Sequence, residues 1–254
     1  MAVLAEAGRV SLSLAAPLCL IHADEFAPEK EERFRSALRD LHLDPGSAIR
    51  FEPGEPAKAI LKVQREENID LLVAGAMETE SVHRNFTGDV ARELLKRAPC
   101  DLLLFTEPNE NPKPPEGIIV VVPDLSEPSR RVLRSALDLA QRGGGHQIIT
   151  LLHVQTTFAQ AKEKALGVNN GTLSTEETLQ SWVEVEARPG MELDYHLLRG
   201  NTGFTACEFI QSSGTNLVVM PSQMPAADQS VFAPALDWII QVIPGNLWVI
   251  RKEI

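Results

Sequence analysis

The chain has 254 residues, enough for one large domain or two of ordinary size, and its 44% hydrophobic and 23% charged residues are the balance of a globular protein. A formal net charge of -11 argues against a nucleic-acid backbone or an anionic membrane surface as the main partner, because binding phosphates takes clustered Lys and Arg. No apolar run approaches the roughly 20 residues of a membrane-spanning helix, and Glu6 and Arg9 interrupt the apolar start, so no signal-peptide layout is read there.

In chain order, residues 2 to 14 read as a helix, with Leu4, Ala7, Val10 and Leu14 on one face and Pro17 as the stop. Leu18 to Ala23 is a strand with His22 near its end. Pro28 sits in the first turn of a second helix that carries Phe34, Leu38 and Leu41 inward. Ser47 to Phe51 is a short strand, and Gly54-Glu-Pro-Ala opens a third helix. Asp70-Leu-Leu-Val-Ala-Gly75 is a strand apolar on both faces, as a covered parallel sheet requires. A loop follows to Gly88, where Asp89-Val90 begins a fourth helix, and Cys100 to Phe105 is a strand. Residues 106 to 116 hold four prolines and no large apolar side chain, and read as an extended linker. Beyond it come a strand Ile118 to Val122, a helix from Glu127 to about Arg142 and a strand Gln147 to Val154. A less regular stretch from 156 to 190 is read as a polar loop and then a helix near Glu176 to Val185. Leu193 to Leu198 is a strand, residues 202 to 212 a helix, Leu217 to Met220 a strand, Pro234 to Ile243 a helix and Leu247 to Ile250 a strand.

The second half repeats the first. Gly54-Glu-Pro-Ala and Asp70-Leu-Leu-Val align without gaps on Gly200-Asn-Thr-Gly and Asn216-Leu-Val-Val. Leu20-Ile-His22 matches Leu151-Leu-His153, and Val3-Leu-Ala-Glu-Ala7 matches Val132-Leu-Arg-Ser-Ala136. Strand and helix alternate in each half, so the class is α/β with parallel sheets. The strand Ile118 to Val122, with its Asp124, has no counterpart in the first half. A doubly wound sheet keeps its first strand in the interior, so its loss strands backbone groups on both neighbours. Either the gene starts further upstream, which is the expectation, or a partner patches the sheet.

Together these pieces resemble the tandem universal stress proteins. They are Pro123-Asp124-Leu-Ser126-Glu-Pro-Ser129 after a strand, the His22 and His153 strand ends, the Gly54 and Gly200 helix openings and the Asp-Leu-Leu-Val-Ala-Gly strand. The resemblance implies two Rossmann-like, doubly wound, parallel five-stranded sheets of order 3-2-1-4-5, the first lacking its first strand. The expected domains are 1–107 and 117–254, joined by a linker over 108–116. It also implies pairing through the last strand, within the chain or in a homodimer.

Nucleotide-binding members carry Gly-x2-Gly-x9-Gly-Ser/Thr after the fourth strand, where glycines let the backbone close on phosphates and the hydroxyl adds a hydrogen bond. An aspartate after the first strand holds the adenosine. Carried over residue by residue, the resemblance points to Gly75, Gly88, Asp89, Val90 and Asp124 as nucleotide-site positions, with ATP or AMP as the ligand. The first half keeps the spacing but has Glu78 for the second glycine and Asp89 for the hydroxyl residue. Like charge at ~4–6 Å from phosphate costs on the order of a few kcal/mol; Thr87, His83 and Arg84 offset part of it. The second half has Asp124, yet Pro221, Met224 and Pro234 stand where the glycines belong, and proline brings no N–H to a phosphate.

Other candidates read more simply as structure. His22 and His153 are polar strand ends without further metal ligands, Asp89 complements a helix dipole, Glu78 and Glu80 belong to a solvated loop, and Trp238 and Trp248 to a core or dimer contact. Cys19, Cys100 and Cys207 are odd in number and lie in or beside apolar segments, so they read as reduced core thiols of a cytoplasmic protein. No catalytic triad, metal cluster or Walker loop occurs. The expectation is a non-enzymatic stress-response module that engages itself and an unidentified protein partner, with neither nucleic acid nor membrane, and with no cofactor in a decayed nucleotide site. The alternative is an ATP- or AMP-binding sensor using the Gly75 to Gly88 loop, with slow ATP hydrolysis as a third.

Overall fold

A computed structural model describes residues 1–76, 89–144, 147–166, 173–200, 202–222 and 245–251. The first half runs α1 (Ala2–Leu14), β1 (Cys19–His22), α2 (Pro28–Asp40), β2 (Ala48–Phe51), α3 (Pro56–Glu66), β3 (Leu71–Gly75), α4 (Asp89–Arg97) and β4 (Asp101–Phe105). The second runs β5 (Gly117–Val122), α5 (Glu127–Gly143), β6 (Gln147–Gln155), α6 (Thr157–Leu166), α7 (Thr175–Glu186), β7 (Met191–Arg199), α8 (Thr202–Ser213), β8 (Leu217–Pro221) and β9 (Asn246–Ile250).

In the second half the strand order is β7-β6-β5-β8-β9, all parallel, which is the expected 3-2-1-4-5. Five of the six residues of β5 are buried, as befits a strand paired on both edges and covered on both faces. β9 then pairs antiparallel with β4, so Leu102, Leu103 and Leu104 face Val249, Trp248 and Leu247, and β3 extends the sheet beyond β4. Among the described residues seven strands thus form one sheet across both halves. This is the pairing through last strands that the resemblance implied, made within one chain.

Side-chain alternation sends Leu102 and Leu104 to one core and Leu103 and Phe105 to the other. The first core is roofed by α3, α4 and α8 through Leu61, Leu94, Leu95 and Ile210. The second is roofed by α1, α5 and α7 through Val10, Leu133, Leu137, Leu179 and Trp182. α1 and α5, matched in sequence, lie together on that face and touch each other.

The first half departs from the second where its sequence does. β1 and β2 form a separate two-stranded sheet, and among the described residues no strand joins β1 to β3. The segment from Thr106 to Glu116 has no helix or strand. It is tied down at two places: Thr106 donates its N–H to Asn246 Oδ1 (3.2 Å) and Asn109 donates its own to Glu6 Oε1 (3.4 Å).

One expectation fails. The polar loop expected from 156 contains α6, which starts where Thr156 Oγ1 accepts from the Ala159 N–H (3.2 Å) and Thr156 O from the Gln160 N–H (3.0 Å). Its residues are strong helix formers with a sparse apolar face, so periodicity understated it. α7 begins at a full capping box, Ser174 Oγ accepting from Glu177 N–H and Glu177 Oε2 from Ser174 N–H. The expected helix from Pro234 to Ile243 lies outside the described residues.

Candidate functional site

A doubly wound sheet places its ligand crevice at the carboxyl ends of the strands where the order reverses. In the second half that point lies between β5 and β8. Asp124 stands there, two residues beyond β5, just before the N-terminus of α5. Its Oδ1 accepts from the Ser126 N–H (3.0 Å), the Ser126 hydroxyl and the Ser129 hydroxyl (2.7 Å). Burial pushes the carboxyl up, but the Ser126 and Ser129 hydroxyls and the Ser126 amide outweigh it and hold Asp124 below the usual carboxylate range. Ser129 is 2% exposed, so Asp124 is the partner its buried hydroxyl requires.

Beside it, His153 lies in the buried run at the end of β6, opposite Val122. Its Nδ1 lies 2.9 Å from the Val122 carbonyl, which can only accept, so Nδ1 carries the hydrogen and Nε2 is left as the acceptor in the neutral ring. Gln155 lies two residues further along, at the end of β6. Gln155 is buried and commits its amide to Glu163 Oε2 and to Thr175 Oγ1 (3.2 Å), while Glu163 Oε1 accepts from the Thr175 N–H (2.9 Å). That amide bond first, then the Gln155 and Thr175 side chains, hold Glu163 below its ordinary value against burial. This network fastens α6 and α7 over the end of β6. Sequence reading missed it, and the only available signal was the extra length between His153 and the next strand.

In the first half, Gly75 ends β3 and is exposed, with Val3 of α1 the nearest group among the described residues to a side chain placed there (3.4 Å). Asp89 opens α4 with its side chain 90% exposed, 3.8 Å from Arg92 Nη1, which suits the helix-dipole reading. Val90 is exposed beside it. Gly88 and the loop residues Glu78, Glu80, His83, Arg84 and Thr87 lie outside the described residues, as do Met224, Pro234 and Trp238. Gly75 and Asp89 therefore bound the loop on either side, and Asp124 belongs to the other half.

His22 occupies in β1 the place His153 has in β6. Its Nε2 is 3.8 Å from Asp24 Oδ2, and its ring meets Phe34 and Phe51 edge-on at 5.3 and 5.8 Å. Phe26, 61% exposed, stacks edge-on against Phe51 from outside at 5.4 Å. Asp24 is lowered first by its bond from Lys30 and then by the Glu25 amide. Sequence reading did not foresee this aromatic collar, because Phe26, Phe34 and Phe51 sit on three different segments.

All three cysteines are free, Cys100 and Cys207 buried and Cys19 half-buried. Among the described residues no three His, Cys, Asp or Glu side chains converge as metal ligands, and no helix is long and apolar enough to cross a membrane.

The model of the universal stress protein family matches residues 12–106 and again 117–251. No curated protein matches in sequence. Among solved structures, the fold resembles a putative universal stress protein from Pseudomonas aeruginosa UCBPP-PA14 at a TM-score of 0.72 and 11% identity, covering 97% of this chain and 87% of that one. A functionally unknown protein from P. aeruginosa PAO1 gives 0.70 at 11% identity over 97% and 86%. A universal stress protein from Archaeoglobus fulgidus DSM 4304 gives 0.67 at 15% identity over 98% and 94%. At such identities the structures speak for the fold alone, but the family model covers both halves and nearly the whole chain: this protein belongs to the universal stress protein family, in a tandem arrangement.

Proposed function

We propose that this chain is a non-enzymatic, cytoplasmic regulatory or interaction module of the stress response, in which both inherited nucleotide sites have decayed. The observation that carries this reading is the make-up of the two loops. A nucleotide site of this fold is walled by its first and fourth strands, with its phosphate loop after the fourth, and the first-half loop keeps Gly75 and Gly88 but has Glu78 for the second glycine and Asp89, 90% exposed, for the hydroxyl residue. The second half keeps the wall and Asp124, but its loop carries prolines where phosphate-binding amides belong. The domains proposed are 1–107 and 117–254 with the linker 108–116. The partners proposed are the other half of the same chain and a further protein.

A second reading, an ATP or AMP sensor, is favoured by one observation: Gly75, which precedes the first-half loop, is exposed, and among the described residues only Val3 comes near a side chain placed there (3.4 Å). Isothermal titration of the whole chain with ATP and magnesium decides between the two. The proposal expects no stoichiometric heat in the micromolar range. A stoichiometric signal that disappears in Gly88→Trp overturns it, and turnover above background lost in the same variant would make the chain a slow ATPase.

A further inference from the structure

The seven-stranded sheet ends at β7, which pairs with β6 along its whole length and, among the described residues, with no other strand. Its nine residues make a long edge. Its repeat mate β2 has four, and there Arg50 is tied to Glu66 Oε2 (3.0 Å) and to Glu67. An edge as long as β7 is a template for another strand unless it is blunted.

The backbone bonds fix which residues face outward. Gly200 donates its N–H to the Gln155 carbonyl (3.3 Å), so the even-numbered residues of β7 turn their backbone toward β6. The odd ones, Leu193, Tyr195 and Leu197 among them, turn theirs to the open edge. Two further bonds agree. The Met191 N–H goes to the Arg188 carbonyl (3.3 Å) and the Tyr195 N–H to Asp194 Oδ1 (2.7 Å), neither of them to β6. The Asp194 carboxylate thus holds the central N–H of the edge where a neighbouring strand would put a carbonyl.

The side chains alternate. Leu193, Tyr195 and Leu197 are half-buried on the core under α5 and α7, while Glu192, Asp194 and His196 are exposed on the other face. Set antiparallel to an inverted copy of itself, β7 is complementary in one register. With the dyad at Tyr195 all nine residues pair: Leu193 faces the partner's Leu197, Tyr195 the partner's Tyr195, and Asp194 the partner's His196, twice over. The outward-facing residues then make the hydrogen-bonded pairs, and Asp194 and His196 the closer, non-hydrogen-bonded ones. Every shift of the dyad shortens the ladder. One residue toward the start also sets Asp194 against Asp194, two set Glu192 against Asp194, and one residue the other way sets His196 against His196.

We propose that β7 is a homodimer interface, at which two copies of this chain join their sheets edge to edge, antiparallel about a dyad at Tyr195, with each Asp194 passing from its own Tyr195 N–H to the partner's His196. The freed Tyr195 N–H is taken by the partner's Tyr195 carbonyl, and the row Leu193, Tyr195, Leu197 is buried against its counterpart. Pairing about a dyad uses the same edge of both copies, so assembly closes at two. The proposal rests on the interaction reading above and names a second copy as a partner; the ATP titration tests the decayed sites of that reading, and self-association tests this one.

The test follows the full chain by sedimentation velocity from about 1 to 200 μM. The mass should double from its 27.9 kDa across the series. At the high end, amide hydrogen exchange should slow at Leu193, Tyr195 and Leu197 and stay unchanged at Asp194 and His196, whose N–H groups already serve β6. Asp194→Lys removes the acceptor facing the partner's His196 at two places and blunts the edge, and should weaken association about tenfold. Adding His196→Asp to that variant exchanges the two partners and should restore association to within about threefold. Both positions are exposed, so the urea midpoint of each variant should match that of the parent at low concentration. A chain that stays monomeric throughout, an association that Asp194→Lys leaves intact, or a double variant no better than the single one would each overturn the proposal. Dimer formation together with stoichiometric ATP binding would support the edge pairing and overturn only the decayed-site reading.

Discussion

Leu103 of the first half stands directly opposite Trp248 of the second in the antiparallel ladder that makes one sheet of the two. Both belong to the core that also holds Val10 and Phe105. With β3 and β9 beside β4, and β8 and β4 beside β9, neither last strand has an edge left for a second copy.

The weight of that junction should fall on the ring of Trp248, which is 7% exposed. Trp248→Ala should cost about 3–5 kcal/mol, the usual range for emptying an aromatic site. The indole Nε1 is buried and has no hydrogen-bond partner among the described residues, so Trp248→Phe removes an unsatisfied donor along with part of the ring. It should cost less than about 1.5 kcal/mol. Urea unfolding of the whole chain reads both, and equal losses would show that the indole, not its apolar bulk, holds the halves together.

A second long-range tie joins α7 to α5. Glu186, with its side chain 10% exposed, accepts from Arg130 Nε (2.7 Å) and from Arg134 Nε (2.9 Å) and Nη2 (2.8 Å). Burial raises the carboxyl, and the bonds from Arg134 and Arg130 outweigh it, so the folded value lies below the unfolded one. The sign follows: the stabilisation is present above the unfolded glutamate value of about 4.3 and is lost as pH falls through the lower folded value. Glu186→Gln should cost about 1–3 kcal/mol at pH 7 and flatten the acid limb of the stability curve. An unchanged acid limb would remove Glu186 from this role.

How far these features could be read in advance depended on how local they are. The β3 and β5 runs are unbroken apolar segments bounded by Asp70 and Gly75 or by Gly117 and Pro123, and the strand bounds follow them closely. The missing first strand was visible because the repeat supplies its own reference. α6 was not, since Thr156 capping and helix propensity act without a clear apolar stripe. The Glu186 tie spans more than fifty positions with no periodic signal. Asp124 was singled out as a nucleotide contact, whereas its hydrogen bonds to Ser126 and Ser129 depend on how the chain turns into α5.

Thiol chemistry separates the three cysteines by position. Burial, and then the charge of Asp101, pushes Cys100 up to about 11. Burial raises Cys207 and, against a nearby Arg50, Cys19. The thiolate is the reactive form, so at pH 8 a maleimide should label the native chain slowly and at half-buried Cys19 first, with Cys100 and Cys207 modified only on unfolding. Peptide mapping of the labelled protein checks the order, and early labelling of Cys100 would mean that the β4 end opens in the native state.

Asp124 separates a structural role from a ligand role. If its work is to satisfy Ser126 and buried Ser129, Asp124→Ala should cost about 1–3 kcal/mol by leaving the Ser129 hydroxyl unpaired. Asp124→Asn keeps an acceptor oxygen and should cost less than half as much. Ser129→Ala removes the donor and its need together, so adding it to Asp124→Ala should restore on the order of 1 kcal/mol, a coupling that a double-mutant cycle in urea isolates. Because the folded carboxyl lies below its usual range, its ionic contribution is complete above the unfolded value of about 3.9 and fades as pH falls through the folded one. Additive losses, with no recovery in the double variant, would mean that Ser129 finds another acceptor. Asp124 would then be held for something other than the start of α5, and a ligand would again be the first candidate.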